Sequence, residues 1–127
     1  MPHKLKNILV VDDEPGILSA ICRVIERGGH KCTSFSSPAQ VMPHLNSKPC
    51  DLILLDIVMP GISGLDLMKT IKKLRPKLPI IVMTGHATSV DADATYRWGA
   101  EGFLAKPFTP EDLNSEISRI ADISKAD

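Results

Sequence analysis

The segment DLILLD at residues 51–56 is the strongest indicator of the fold in this sequence. It is a nearly continuous apolar run that closes on a carboxylate, Asp56. A run without polar alternation is typical of a strand that is covered on both faces, as the strands of parallel sheets are. The stretch therefore predicts a buried parallel strand with an acidic side chain at its carboxyl end.

Four more short strand-like runs flank this stretch, and amphipathic segments with helical spacing separate them. The predicted strands are residues 8–11, 31–35, 51–56, 79–84 and 102–106. Each is followed by a segment whose apolar residues recur at helical intervals. Five strands that alternate with five helices predict an α/β domain with a parallel sheet and helices on both of its faces.

Prolines mark several of the predicted helix ends. The first helix begins at Pro15, and Pro76 stops the third. The second helix is expected to be short or kinked because Pro43 falls within it. The fourth helix is expected to run from about residue 90 to Trp98, with Tyr96 and Trp98 packing it against the sheet. A contact with a partner protein is the alternative for these two aromatic residues.

Length, charge and hydropathy narrow the classes of function. The 127 residues suit one domain, and no output domain is expected within them. Fifteen basic and fifteen acidic side chains cancel, so no net charge favours nucleic acid or an anionic membrane. The apolar runs are too short to span a bilayer. Because the first residues also lack the pattern of a secretory signal, a cytoplasmic protein is expected.

The three cysteines are Cys22, Cys32 and Cys50, an odd number without a C-x-x-C pair. Neither a disulfide framework nor a zinc site fits this pattern. The thiols are therefore expected to be reduced and structural, in agreement with a cytosolic protein.

Polar side chains stand at the carboxyl ends of four of the five predicted strands. They comprise three carboxylates, a hydroxyl and an amine: Asp12, Asp13, Asp56, Thr84 and Lys106. Strand ends meet solvent and often carry polar residues, which explains any one of these positions but not the whole set. Because the carboxyl ends of parallel strands open at one edge of a sheet, we expect the five side chains to meet in one cavity.

The residue types in this set indicate phosphoryl chemistry with a hard cation. Three carboxylates in one cavity repel each other and so favour a bound cation. Oxygen ligands suit Mg²⁺, which typically combines one or two carboxylates with waters and phosphate oxygens, whereas the set lacks the soft ligands of zinc or copper. A carboxylate beside the metal can attack phosphorus and form an acyl phosphate. Lys106 would then offer positive charge to the phosphoryl oxygens, and Thr84 a hydrogen bond.

Over essentially its whole length the chain resembles the receiver domains of bacterial two-component response regulators. The matching segments are VVDDEP at residues 10–15, LLDIVMPG at 54–61, MTG at 83–85 and KPF at 106–108. Each segment is weak alone, but their order and spacing together are highly specific. The resemblance implies a chemotaxis-regulator-like fold, a doubly wound sheet with the flavodoxin-like strand order 2-1-3-4-5.

The resemblance also implies a role for each matching residue of the acidic cavity. Asp56 is implied to be the phosphoacceptor. Asp13, Asp56 and the backbone carbonyl of Val58 are implied to be direct Mg²⁺ ligands, and Asp12 is implied to act on the metal mainly through water. Lys106 is implied to bind the phosphoryl group.

The remaining implied roles concern the response to phosphorylation. Thr84 and Phe103 resemble the switch pair of the family, and the peptide bond between Lys106 and Pro107 resembles its cis peptide. Val58 and His86 depart from the best-known pattern of the family. Both are therefore expected to tune how long the phosphoryl group survives, His86 by assisting or by blocking the attacking water.

The implied function is a signalling switch, which promotes its own phosphorylation and dephosphorylation but is not an enzyme. A sensor histidine kinase, a phosphotransfer protein or a small phosphodonor would supply the phosphoryl group. The face formed by the fourth helix, the fifth strand and the fifth helix would then change shape and bind a partner or a second copy. The MTGH run at residues 83–86 most resembles regulators of transcription, whose output module would lie outside this chain.

Two other functions compete with this interpretation. A stand-alone receiver would act through protein–protein contacts without any output module. More remotely, a phosphatase of the haloacid dehalogenase type also forms an aspartyl phosphate, but it requires a second acid at the position of Val58.

Overall fold

The five predicted strands form one parallel sheet in the computed structural model of the chain, which describes residues 7–59, 62–85 and 92–126. The strands are β1 Asn7–Val11, β2 Lys31–Phe35, β3 Leu52–Asp56, β4 Ile80–Thr84 and β5 Gly102–Ala105. Their order is β2-β1-β3-β4-β5, and every neighbouring pair is parallel. The predicted fold class and strand order are therefore confirmed. A separate antiparallel ladder joins Val58–Met59 to Ile62–Ser63.

In the described part of the chain, five α-helices connect or follow these strands. They are α1 Pro15–Arg27, α2 Val41–Ser47, α3 Gly64–Leu74, α4 Ala92–Arg97 and α5 Pro110–Ala126. The predicted start of the fourth helix, near residue 90, lies outside the described residues. Within the described part of the chain, no helix is long and apolar enough to cross a membrane.

The second helix is short, as predicted. It has seven residues and follows a separate 3-10 turn at Pro38–Gln40. Pro43 lies in the first turn of α2, where a backbone N–H has no partner within the helix. The missing N–H of proline therefore costs no helical hydrogen bond at this position.

Neighbouring residues of each central strand enter two different hydrophobic cores. Leu9 of β1 faces the core that α2 and α3 cover, whereas Val10 faces the core that α1 and α5 cover. β3 and β4 follow the same alternation, and all their residues are buried. Both faces of the sheet are thus covered, which is why these strands are apolar throughout.

The prediction of three reduced thiols is wrong for one pair of cysteines. Cys22 of α1 and Cys32 of β2 form a disulfide bond, and their Cα atoms lie 5.6 Å apart. The turn at Gly28 and Gly29 folds β2 back beside α1, and this brings together two residues whose spacing matches no disulfide motif. Cys50 is free and buried, as expected of a structural thiol.

The aromatic residues at the end of α4 do not pack against the sheet as predicted. Tyr96 is 43% exposed and Trp98 is 41% exposed. The ammonium of Lys69 on α3 lies 5.2 Å from the centre of the Trp98 ring, a cation–π contact at the surface. These residues belong to the outer face of the domain.

The start of α3 packs directly on the chain that leaves β3. A Cβ atom on Gly64 would overlap the Cα atom of Ile57 and would lie 2.9 Å from the Ile57 carbonyl oxygen. Since Ile57 follows Asp56 immediately, this close approach holds the backbone beside the last residue of β3. Gly16 in α1 differs, because a Cβ there would meet no atom within 4 Å.

These two glycines provide a matched pair of substitutions. Gly64→Ala should lower the free energy of unfolding by about 1–3 kcal/mol, because the Ile57 backbone must move. Gly16→Ala should raise it by about 0.5 kcal/mol, because alanine restricts the unfolded chain and fits the helix. Urea denaturation of both variants measures the difference, and equal effects would contradict the close packing of Gly64.

Candidate functional site

Three carboxylates meet at the carboxyl edge of the sheet. Asp12 and Asp13 follow β1, and Asp56 is the last residue of β3. One oxygen of each lies within 4.8 Å of the others. Asp12 is fully buried and Asp56 is 3% exposed, whereas Asp13 is partly exposed and opens the cluster to solvent.

Lys106, which follows β5, supplies the positive charge of this cluster. Its Nζ atom lies 2.6 Å from Oδ2 of Asp12 and 3.0 Å from Oδ2 of Asp56. Glu14 is more distant, with Oε1 4.0 Å from the same Nζ atom. The backbone N–H of Lys106 donates to the carbonyl of Thr84 at 2.8 Å, and the bond from Lys106 to Pro107 is cis, as the resemblance implies.

Backbone donors hold the two buried carboxylates in place. Oδ1 of Asp12 accepts the N–H of Glu14 at 3.0 Å, and Oδ1 of Asp56 accepts the N–H of Val58 at 2.9 Å. The N–H of Asp12 donates to the carbonyl of Phe35 at the end of β2. Because each Oδ1 is held by the backbone, each Oδ2 is left to contact the lysine.

Burial and neighbouring charges act in opposite directions on the pKa values of Asp56 and Lys106. Desolvation raises the pKa of Asp56, and the charge of Asp12 adds to this effect, while the Val58 N–H and Lys106 oppose it. Burial also disfavours the charged form of Lys106, but hydrogen bonds and charge from Asp12 and Asp56 outweigh it and raise the pKa of Lys106. The lysine is therefore held in its charged form between two carboxylates.

The expected switch residues lie on neighbouring strands. Thr84 ends β4 and is fully buried, and Phe103 on β5 is half-buried against the core beneath α2 and α3. In the register of the two strands Val82 pairs with Phe103, and Thr84 pairs with Ala105. Residues two apart on a strand share a face, so Thr84 and Phe103 lie on the same face of the sheet.

The structure describes one of the two residues expected to tune the lifetime of the phosphoryl group. Val58 is 39% exposed and its backbone N–H contacts Asp56, so its side chain lies at the rim of the cluster. His86 lies outside the described residues.

A contact not predicted from the sequence holds β5 from the side of α5. Glu116 accepts the N–H of Phe103 at 3.0 Å, and Arg119 donates to Glu116 at 2.9 Å and to the carbonyl of Glu101 at 2.8 Å. A Cβ atom on Gly102 would lie 2.6 Å from the Glu116 carboxylate. A glycine opening a strand is the one sequence signal that could have indicated such a close approach.

The donor set fits a small hard cation. Asp12, Asp13 and Asp56 offer only oxygen ligands, and the partly exposed Asp13 leaves room for the waters that Mg²⁺ usually keeps. The single ammonium of Lys106 does not balance three carboxylates when all of them are ionised. These residues could therefore hold Mg²⁺.

The fold and the cluster define a class of protein, a doubly wound α/β domain with an acidic cavity and a paired lysine at the carboxyl edge of its sheet. Residues 8–118 match the response regulator receiver domain family, and the chain belongs to this family. Receiver domains are signalling switches of two-component systems.

Relatives agree with this assignment. The DNA-binding transcriptional regulator NtrC of Escherichia coli is 39% identical over 112 residues, which cover 88% of this chain and 24% of NtrC. The transcriptional regulatory protein GlrR of the same species is 32% identical over 117 residues, which cover 92% of this chain and 26% of GlrR. The chain thus spans about a quarter of the length of these curated relatives.

Solved structures show the same fold. A CheY-like receiver domain protein of Methanospirillum hungatei superposes with a TM-score of 0.89 at 28% identity, covering 97% of this chain and 98% of that protein. NtrX of Brucella abortus superposes with a TM-score of 0.90 at 31% identity, covering 96% of this chain and 28% of NtrX.

The cluster predicts that removing an acid and removing the lysine affect Mg²⁺ binding differently. Asp13→Asn should weaken Mg²⁺ binding by at least about tenfold, because a charged ligand is lost. Lys106→Met should leave Mg²⁺ binding as tight or tighter, because the ammonium competes for Asp12 and Asp56. Calorimetric titration measures both, with Lys48→Met as a control at an exposed lysine. Equal losses of affinity in the Asp13 and Lys106 variants would contradict these separate roles.

Proposed function

We propose that this chain is a phosphoacceptor receiver domain that takes a phosphoryl group on Asp56 in the presence of Mg²⁺. One observation carries the proposal. The buried carboxylate of Asp56 lies 3.0 Å from the Lys106 ammonium, and oxygens of Asp12 and Asp13 lie within 4.8 Å of it. A nucleophile, a cation site and a fixed positive charge thus stand together.

In the proposed reaction an oxygen of Asp56 attacks phosphorus, and the bond from phosphorus to the donor breaks. With a phosphohistidine donor the leaving imidazole keeps the bonding electrons and takes up a proton. Asp13, Asp56 and the carbonyl of Val58 would hold Mg²⁺ directly, with Asp12 acting on it mainly through water, and the bound ion would supply charge stabilisation. Lys106 then binds the phosphoryl oxygens, because its ammonium already contacts the carboxylate of Asp56 that receives them.

The proposed phosphodonor is a sensor histidine kinase, a phosphotransfer protein or a small phosphorylated metabolite, and the proposed location is the cytoplasm. Residues 1–127 would act as one receiver, and transcription would be controlled through a module outside them. The names of the NtrC and GlrR relatives support this output. Since fifteen basic and fifteen acidic side chains cancel, we propose no direct contact of this domain with nucleic acid.

The first test asks whether Asp56 alone accepts the phosphoryl group. Wild type with Mg²⁺ and acetyl phosphate should gain the mass of one phosphoryl group, and Asp56→Asn should gain none. Asp51→Asn is the matched control, because Asp51 stands just before the other end of the same strand and contacts Asn7. A full mass shift in the Asp56 variant would contradict the proposal.

The proposed signal leaves the site through Thr84 and Phe103. A phosphoryl group on Asp56 offers anionic oxygens, and the hydroxyl of Thr84 can donate a charge-assisted hydrogen bond to one of them. Movement of Thr84 would then open space for the ring of Phe103 on the same face of the sheet. The face formed by α4, β5 and α5, where Tyr96 is exposed, would change shape and bind a partner or a second copy.

The second test compares a variant that lacks the hydroxyl group of Thr84 with a matched variant that retains a hydroxyl group at this position. Beryllium fluoride, a phosphoryl mimic, should change amide hydrogen exchange in β5 and α5 of wild type and of Thr84→Ser. Thr84→Ala should lose most of this change, because no hydroxyl remains to bind the mimic. If Thr84→Ala responds as fully as wild type, the route through Thr84 is wrong even when Asp56 is the phosphorylated residue.

The third test concerns the lifetime of the phosphoryl group. Val58 is apolar and lies at the rim beside Asp56, so it cannot orient an attacking water. Val58→Asn should therefore speed the decay of the phosphorylated mass, whereas Val58→Leu should not. Unchanged decay in Val58→Asn would contradict this role. His86→Ala, followed in the same way, shows whether His86 assists or blocks the water.

A further inference from the structure

The disulfide between Cys22 and Cys32 joins the first helix of the domain to an edge strand. Cys22 lies in α1, and Cys32 lies in β2, which among the described strands is paired on one side only. Ten residues separate them, and both side chains are half-buried. The pair is distinct from the acidic cluster, and nothing in the proposed phosphoryl chemistry uses it.

The backbone places these two residues close to each other. Val24 and Ile25 accept the N–H of Gly28 as α1 ends, and Gly29 has a positive φ of 90°, which lets the chain reverse into β2. Cys32 is then fixed by its register opposite Ile8 of β1. The Cα separation of 5.6 Å lies within the usual range for a disulfide.

The third cysteine shows a contrasting environment. Cys50 is 7% exposed, and its thiol contacts the carbonyl of Leu52. Burial raises the pKa of Cys50, which keeps it in the unreactive thiol form. Two of the three thiols are thus paired and partly accessible, while the remaining one is shielded.

We propose that Cys22 and Cys32 form a reversible redox site that undergoes thiol–disulfide exchange with low-molecular-weight disulfides of the glutathione class. The proposal uses the cytoplasmic location given under the proposed function, because disulfides in that compartment are usually transient and redox-sensing rather than permanent. The bond would form when the cellular thiol pool becomes oxidised.

The exchange proceeds in two balanced steps. The thiolate of one cysteine attacks a sulfur of the small disulfide, whose S–S bond breaks, and one small thiolate leaves and takes up a proton. The second cysteine then attacks the protein sulfur of the mixed disulfide and releases the second small thiol. The protein loses two electrons and two protons, and one disulfide is reduced to two thiols.

The disulfide bond between Cys22 and Cys32 links α1 and β2, two elements that lie beside the acidic cluster. α1 begins two residues after Asp13, and the carbonyl of Phe35 at the end of β2 accepts the N–H of Asp12. The oxidised pair would tie the middle of α1 to the start of β2. Opening of the turn between them should therefore be slower or rarer in the oxidised form than in the reduced form.

The test uses the full chain in defined mixtures of reduced and oxidised glutathione. Intact mass and peptide mapping should show one transition to a species that lacks two hydrogens and contains the bond from Cys22 to Cys32. At ratios typical of a reducing cytoplasm the pair should be mostly reduced. Amide exchange of residues 23–31 should be at least about tenfold slower in the oxidised form, which corresponds to about 1.4 kcal/mol.

Three variants make the outcome decisive. Cys22→Ser should form no internal bond and should exchange at the rate of the reduced wild type, while Cys50→Ser should keep the transition of wild type. Asp56→Asn should also keep it, so loss of the phosphoryl chemistry would not affect this result. Formation of mixed disulfides alone, equal exchange rates in both forms, or a bond that persists in reduced glutathione would each overturn the proposal.

Discussion

A parallel sheet that is covered on both faces leaves few positions where a polar side chain can stand. All residues of β3 and β4 are buried, so the carboxylate of Asp56 and the hydroxyl of Thr84 occur only where these strands end. Because the strands are parallel, their ends lie at one edge of the sheet. The constraint that makes the strands apolar therefore also gathers the polar side chains in one place.

Among the described residues, one ammonium contacts both buried carboxylates at this edge. Asp12 and Asp56 are buried, and Lys106 contacts both carboxylates. Breaking a buried ion pair of this kind by removing one partner typically costs about 3–5 kcal/mol, because an uncompensated charge is left behind. A bound cation or a new phosphoryl group would change this balance strongly. The same cluster is thus suited both to hold an ion and to respond to it.

Backbone hydrogen bonds are found on the way from the cluster to each of the two edge strands of the sheet, β2 and β5. On one side β1 leads to β2, where the carbonyl of Phe35 accepts the N–H of Asp12. On the other side β5 carries Phe103, whose N–H donates to Glu116 of α5. The outer edge of β5 is therefore held by side chains of a helix, which leaves this strand less free to pair with another chain.

Local patterns in the sequence determined the elements and the positions of the polar side chains. The continuous apolar stretch at residues 51–56 indicated a strand buried on both faces, and the prolines marked the helix ends. The rule for parallel strands then predicted that Asp12, Asp56 and Lys106 meet, and the structure brings them together. The strand order itself came from the resemblance to receiver domains and is confirmed.

Only the tertiary structure showed which side chains of different elements touch. The disulfide from Cys22 to Cys32 and the exposure of Trp98 carry no sequence pattern of their own, and the hydrogen bond from Phe103 to Glu116 is signalled by Gly102 alone. Periodicity reports which side of a helix or strand is apolar, because burial acts on every residue of that side. A contact between two elements instead depends on their relative position, which the packing of the whole domain decides.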